Sequence, residues 1–424
     1  MLNQATAKWP RLRADEPIVV VGAGLLGCSA AYHLLAAGAR DVTLIDRYGP
    51  GDGTSSAGAG FVALWAAGRT PTEPGLAMQR YALEFYGGLH TSGHDIAYRN
   101  NGNLIIAQTE KAWGEHVAGA ADSPDAESGS RVLGPAEIAR LTSVVSADAV
   151  YAGLLMPSAI QIETGRTVDA LAGLVTAMGG VIRRDAPVQG FTTTGDQVRA
   201  VLTPQGTIRC AAVVVAAGAW TNPVLRYLDV RLPLLRVIAS RLITEPLGVP
   251  ATMPTIQCYD YGMWIRAKEG RLTWGSASAY RPAYAAEAAD GPITTGRPRS
   301  QALLDLQLAE QARTERIVPR LAGTRLDSWL QGMPVYTPDA QLMIGGLPGY
   351  GNVVVLAGDN ESGVAHGPGM GRIAAELIRG EAPFADPHSC RPERFDPADY
   401  PDEEAVGREL ASRGIDRISD HPSG

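Results

Sequence analysis

The sequence predicts an α/β chain in which a parallel sheet is interleaved with a separate antiparallel sheet. Three observations predict it. A strand, a glycine turn and a helix follow one another over residues 18–38. A second strand–turn–helix unit begins at NVVVLAGDN. Between 232 and 280, apolar and polar residues alternate.

Residues 18–27 read IVVVGAGLLG. The β-branched run predicts a buried strand, and LGCSAAYHLLAAG behind it a helix. Gly22 would make the tight turn, Gly24 would let the backbone approach a pyrophosphate, and Gly27 would let helix and strand pack closely. Ala23, Leu25 and Leu26 complete the cradle, where the helix N-terminus turns N–H groups and a positive dipole end toward phosphates. The next strand, VTLID, ends at Asp46, followed by Arg47. An acid there accepts hydrogen bonds from ribose hydroxyls, so strand, glycines, helix, strand and acid together predict a Rossmann-like dinucleotide site.

The loop GPGDGTSSAGAG follows. TGRTVDALAGLVTAMG carries helical periodicity, and VIRRDAPVQGF, QVRAVLT and GTIRCAAVVVAAG read as short strands. QALLDLQLAEQARTERIV predicts one helix. NVVVLAGDN predicts a strand, then a glycine-rich turn and the helix GRIAAELIRG; beyond Pro383 the chain reads as a polar surface tail. The expected division is a nucleotide-binding domain from 17–85, 146–230 and 325–385. A substrate domain is expected from 86–145 and 231–324, with peripheral tails at 1–16 and 386–424.

The chain has 424 residues, 45% hydrophobic and 19% charged, enough for two or three domains. A net charge of −7 argues against a nucleic-acid partner. No run of about 18 apolar residues predicts a membrane span. The opening MLNQATAKWPRLRADEP lacks the apolar core of a secretory signal. Cys28, Cys210, Cys258 and Cys390 have no metal-ligand spacing, which predicts no metal, no disulfide framework and a reduced cytoplasm.

Five stretches together resemble the D-amino-acid-oxidase-type flavoprotein superfamily: IVVVGAGLLGCSAAYHL, the Ser-Gly loop after Asp46, AAVVVAAGAW, YTPDAQLMIG, and NVVVLAGDN with its trailing helix. GMPVYTPDAQLMIG is most similar to the branch holding sarcosine oxidase, dimethylglycine dehydrogenase and glycine oxidase. The resemblance implies a GR2-type flavoprotein: a Rossmann-like FAD-binding domain interleaved with an antiparallel-sheet substrate domain, oxidising a C–N bond. It also implies cofactor contacts. Thr54, Ser55, Ser56 and Gly60 lie in the second phosphate loop, and Val188 at the position whose backbone meets adenine. Ala217, Gly218 and Trp220 lie in the AAGAW turn. Gly358, Asp359, Gly363 and Val364 lead into a helix whose N-terminus faces the flavin.

The sequence departs from that pattern in three respects: the flavin linkage, the carboxylate anchors and the lysine over the flavin. The cysteine that carries flavin in the sarcosine-oxidase type reads Gly332, and no histidine stands between Gly51 and Phe61, so noncovalent FAD is expected. The two familiar carboxylate anchors read Met333 and Ala365. The lysine over the flavin reads Thr273. Tyr259, Tyr261 and Arg266 are therefore candidates for the substrate face, with Arg266 as replacement anion clamp; the alternative is that they are ordinary packed or solvated strand positions. His366 reads equally as a flavin neighbour or a solvated loop histidine. Asp359 and Glu361 would attract a cationic amine or cap the helix, and Arg69 is a further candidate.

The expected activity is FAD-dependent oxidation of an amine or an amino or imino acid to the imine, by hydride transfer to flavin. The acceptor of the electrons would be oxygen or a carrier. The alternatives are a flavin dehydrogenase serving a carrier or partner subunit, and an NAD-dependent dehydrogenase using the same glycine motif.

Overall fold

The computed structural model describes residues 12–64, 72–122, 127–283 and 297–415. Arg69 lies outside them, as does part of residues 281–298, which are rich in Ala, Gly and Pro and read as a loop in the sequence.

The first strand, Ile18–Val21, is buried along its whole length and is flanked by the parallel strands Val42–Ile45 and Ala212–Val215. Val181–Arg183 and Val353–Ala357 extend the parallel sheet on either side, and Met343–Gly346 closes one edge antiparallel. Central strands covered on both faces carry continuous Val, Ile and Leu. One core cluster holds Val20, Val214 and Val354, the other Val19, Val213 and Val355.

The helices Leu25–Ala36, Thr164–Ala177 and Gly363–Ile378 pack on one face of this sheet. The expected glycine turn before the last helix is instead part of it, because the helix begins at Gly363 and includes HGPGMG. Close packing explains these glycines. A Cβ at Gly371 would meet the Ala30 backbone N at 2.7 Å, and one at Gly369 would meet Met78 Cβ at 2.7 Å. Pro368 cannot donate to the carbonyl four residues earlier; the Tyr86 hydroxyl donates to that carbonyl, on Val364, at 2.8 Å.

The second sheet runs Tyr280–Pro282, Leu235–Thr244, Arg271–Gly275, Met263–Lys268, Thr255–Cys258, Asn103–Ala107, Ala152–Met156 and Arg131–Leu133, with Leu326–Gly332 and Val335–Tyr336 also paired to Leu235–Thr244. It is antiparallel except where Thr255–Cys258 meets Asn103–Ala107. The expected boundaries therefore shift. Ala152–Met156 and Leu326–Gly332 were assigned by sequence to the nucleotide-binding domain, yet both are strands of this second sheet.

The expected surface tail also packs. Helix Glu403–Ser412 buries Val406 and Leu410 against Leu235, Val237 and Tyr336, and Arg236 grips Glu403 at 2.8 Å. The single helix expected over 301–318 is two, Gln301–Ala309 and Gln311–Ile317. No described helix is long and apolar enough to cross a membrane.

Candidate active site

The parallel strands Ile18–Val21, Val42–Ile45, Ala212–Val215 and Val353–Ala357 end side by side, at Gly22, Asp46, Ala216 and Gly358. In sheets of this kind ligands bind beyond the strands' carboxyl ends. Here those four residues line one cavity, whose far wall is Ala239–Arg241, Gln257, Met263 and Trp264 of the second sheet. The cavity thus spans the two sheets.

Its nucleotide-side lip is held by backbone geometry. Gly22 has φ +101°, and a Cβ there would run into Ala216 O. A Cβ at Gly27 would run into Gly22 O, so this glycine does the packing task expected of it. Asp46 accepts hydrogen bonds from the N–H of Ala23 and of Tyr48, each at 2.8 Å. Burial still raises its pKa, against the lowering effect of those two bonds. Ser55 Oγ accepts from the Leu25 N–H at 2.9 Å, which leaves the Leu26 and Gly27 N–H groups in the unpaired first turn of the helix.

On the opposite lip, the turn before helix Gly363–Ile378 has three left-handed residues, Gly358, Asn360 and Glu361, at φ +57°, +46° and +68°. Asn360 stabilises it. Its Oδ1 accepts from the Thr337 N–H at 3.0 Å, and its Nδ2 donates to Gly358 O and Gln341 O. Non-glycine residues in this region are strained and persist where the surroundings over-determine them. The TPD loop and the GDN turn are thereby locked together.

Of the sequence-predicted cofactor residues, Gly22, Gly24, Leu25, Leu26, Asp46, Thr54, Ser55, Gly60, Ala217, Gly218, Trp220, Gly358, Asp359, Gly363 and Val364 line the cavity. Ala23, Gly27, Arg47, Ser56 and Val188 do not. Ser56 turns its hydroxyl to Gly51 O at 2.6 Å, and Arg47 stacks 3.8 Å over the Trp220 ring. The Thr54 and Ser55 hydroxyls are also engaged, with the N–H of Met333 and of Leu25. Both hydroxyls accept in those bonds, so each still has its own hydrogen to donate to a phosphate.

None of the four expected catalytic residues lines the cavity. Tyr261 is buried in the core of the second sheet, its hydroxyl bonded to Glu310 and Thr314, and burial pushes its pKa up to about 12. Tyr259 packs against a satellite cluster around Ile105. His366 lies within the last helix, Nδ1 against Ser362 O at 3.0 Å. Arg266 is 1% exposed and fully engaged: Nε with Ala59 O, Nη1 with Ala267 O, Nη2 with Glu163 at 2.8 Å. It is a buttress behind the cavity loop, because a guanidinium in an apolar strand must satisfy its donors locally. Lys268 also reaches Glu163, at 2.5 Å. Burial would raise the Glu163 pKa, but the Arg266 charge and the hydrogen bonds from Lys268 and Arg266 outweigh it and hold the carboxyl at about 2.

Sequence reasoning missed the residues of the far wall. Ser240 and Arg241 in LRVIASRLIT, Gln257, Trp264 and Tyr280 all line it. A charged residue inside an otherwise apolar strand was the one available signal. Trp264 stands 5.7 Å from Phe61, ring centre to ring centre, and covers Gly275, where a Cβ would lie 2.7 Å from the indole nitrogen.

With this geometry in view, comparison with known proteins gives consistent results. A family model described as DAO, FAD dependent oxidoreductase, matches residues 17–377. The 4-methylaminobutanoate oxidase (formaldehyde-forming) of Paenarthrobacter nicotinovorans is 31% identical over 89% of this chain and 45% of its own length. Human mitochondrial sarcosine dehydrogenase is 28% identical over 91% of this chain and 42% of its own. The chain thus spans less than half the length of these relatives. The structure of glycine oxidase from Geobacillus kaustophilus superimposes with a TM-score of 0.75 at 20% identity, covering 90% of this chain and 99% of that one.

Proposed function

As this chain belongs to the DAO family of FAD dependent oxidoreductases, we propose that it oxidises the C–N bond of an amine or amino acid, giving an imine that water hydrolyses. The observation that carries this reading is the cavity itself, which joins the glycine-lined ends of a parallel sheet to an apolar wall with a few polar atoms.

The residues present fit FAD. A side chain at Gly22 or Gly60 would collide with backbone carbonyls, so both positions keep the cavity wall bare. Gly22, Gly24 and the Leu26 N–H would hold the diphosphate, and Asp46 the ribose hydroxyls. Gly363 and Val364 open a helix whose positive end lines the cavity and would stabilise negative charge there. When bound, FAD supplies the electron sink for oxidation beside a nitrogen. Phe61, Met263 and Trp264 would exclude water, and a desolvated amine favours the neutral form from which a hydride can leave. Attachment of FAD is noncovalent in this reading. Its support is Gly332, where even a Cβ would crowd Thr54 Cγ2 at 2.9 Å, and the absence of histidine between Gly51 and Phe61. A reducing compartment is supported by four free buried cysteines.

A second reading, a dehydrogenase passing electrons to a carrier, is favoured by Thr273. The sequence resemblance puts Thr273 at the lysine position of the sarcosine-oxidase type, and its buried hydroxyl has no hydrogen-bond partner among the described residues. The test is anaerobic mixing of the purified yellow protein with glycine, N-methylglycine, N,N-dimethylglycine and 4-(methylamino)butanoate. Bleaching of the visible flavin absorbance by at least one amine is expected, and an unchanged spectrum with all of them refutes the proposal. Reoxidation of the bleached protein by air or only by an added dye then separates oxidase from dehydrogenase.

A further inference from the structure

Arg241 is 3% exposed, yet it lines the cavity. Its Nε and Nη1 atoms have no hydrogen-bond partner among the described residues. A buried guanidinium with orphaned donors is costly, and such groups are found paired or awaiting a ligand. Burial, then the nearby Arg266, push its pKa down to about 10, so it stays charged at neutral pH; Glu163 acts in the opposite sense.

Strand register explains why Arg266 cannot relieve it and Glu163 does not. Arg266 pairs with Thr273, and Thr273 with Ile243, two residues beyond Arg241. Residues at this spacing share one face of a sheet, so Arg241 and Arg266 stand on the same side. Glu163 is already shared by Arg266 and Lys268. Three cations therefore face one carboxylate, and the cation left over is the one that lines the cavity. Beside it, Gln257 lines the cavity too, and its buried Oε1 has no hydrogen-bond partner among the described residues. This is a polar pair in an otherwise apolar wall.

We propose that Arg241 anchors an anionic group of the substrate, a carboxylate, so that the enzyme selects amines carrying one. The inference rests on the amine-oxidising reading above and supplies the anchor that Met333 and Ala365 do not. A planar guanidinium presents paired donors that match a carboxylate in a bidentate fork. Gln257 Oε1 would accept from the substrate's nitrogen.

The experiment uses the FAD-loaded protein and matched pairs: N-methylglycine and 4-(methylamino)butanoate, each with its methyl ester. In the wild type the preferred acid should reduce the flavin at least tenfold more efficiently than its ester. Arg241→Met should lose about ten- to a hundredfold in affinity for the acid, read in KM more than in kcat, with the ester little changed. Arg241→Lys should recover part of the loss. FAD content should not change, and FAD-loaded Arg241→Met should melt no lower than wild type, since an arginine with a structural task would lower it. Equal use of acid and ester by wild type and Arg241→Met overturns the anchor and leaves amine oxidation standing. Loss of FAD or a lowered melting temperature in Arg241→Met also overturns it. If no amine reduces the flavin, amine oxidation falls instead. Titration of acetate, followed in the flavin spectrum, then decides the anchor: binding weakened tenfold in Arg241→Met supports it, and binding that is absent or unaltered overturns it.

Discussion

Replacing Glu163 with glutamine should remove both acid stability and a support of the cofactor loop. Glu163 sits between the Nη2 of Arg266 at 2.8 Å and the Nζ of Lys268 at 2.5 Å, its side chain 15% exposed. Arg266 in turn donates from Nε to Ala59 O, in the loop that lines the cavity. A carboxyl held at about 2 rather than at 4.5 corresponds to about 3 kcal/mol of stability for the ionised form. Because the folded pKa is the lower one, this contribution is complete above about pH 4.5 and is lost as pH falls toward about 2. Glu163→Gln should therefore lose about 3 kcal/mol at pH 7, where Arg266 is left buried without its counter-charge. Between pH 4.5 and 2, its stability should fall less steeply than that of the wild type. Urea unfolding at a series of pH values, followed by circular dichroism, measures both. FAD retention on gel filtration should fall in parallel. A variant with wild-type stability at pH 7 and an unaltered acid slope would refute the view that this ion pair braces the loop.

Three further outcomes are expected. Asp46→Ala removes a carboxylate that accepts two backbone N–H bonds at 2.8 Å; it should weaken FAD binding about ten- to a hundredfold, and unchanged affinity by fluorescence titration would show that Asp46 serves only its own loop. Acid precipitation of the purified protein should leave FAD in the supernatant; yellow flavin that stays with the pellet would mean a covalent link despite Gly332. Tyr261→Phe should cost about 1 kcal/mol through the lost bonds to Glu310 and Thr314, with FAD content and flavin reduction intact. A loss of flavin reduction at unchanged stability would return Tyr261 to the catalytic list.

The nucleotide side of this protein is legible in its sequence because its constraints are local. A β-branched run, three glycines and an acid within about thirty residues specify a turn that only glycine can make and a carboxylate at a strand end. Backbone sterics do this work, and Gly22 with φ +101° carries the same information in sequence and in space. The extent of the last helix was not legible, since HGPGMG reads as a turn until Met78, Ser29 and Tyr86 are packed against it. The substrate side was decided by tertiary structure alone. Arg241 and Arg266 are both arginines in apolar strands, 25 residues apart, and nothing local distinguishes them. What separates them is Glu163, brought in from the start of another helix, which pairs with Arg266 and leaves Arg241 facing the cavity. Long-range pairing of charge is a property of the folded sheet, because a buried ion finds its partner only where distant strands and helices converge.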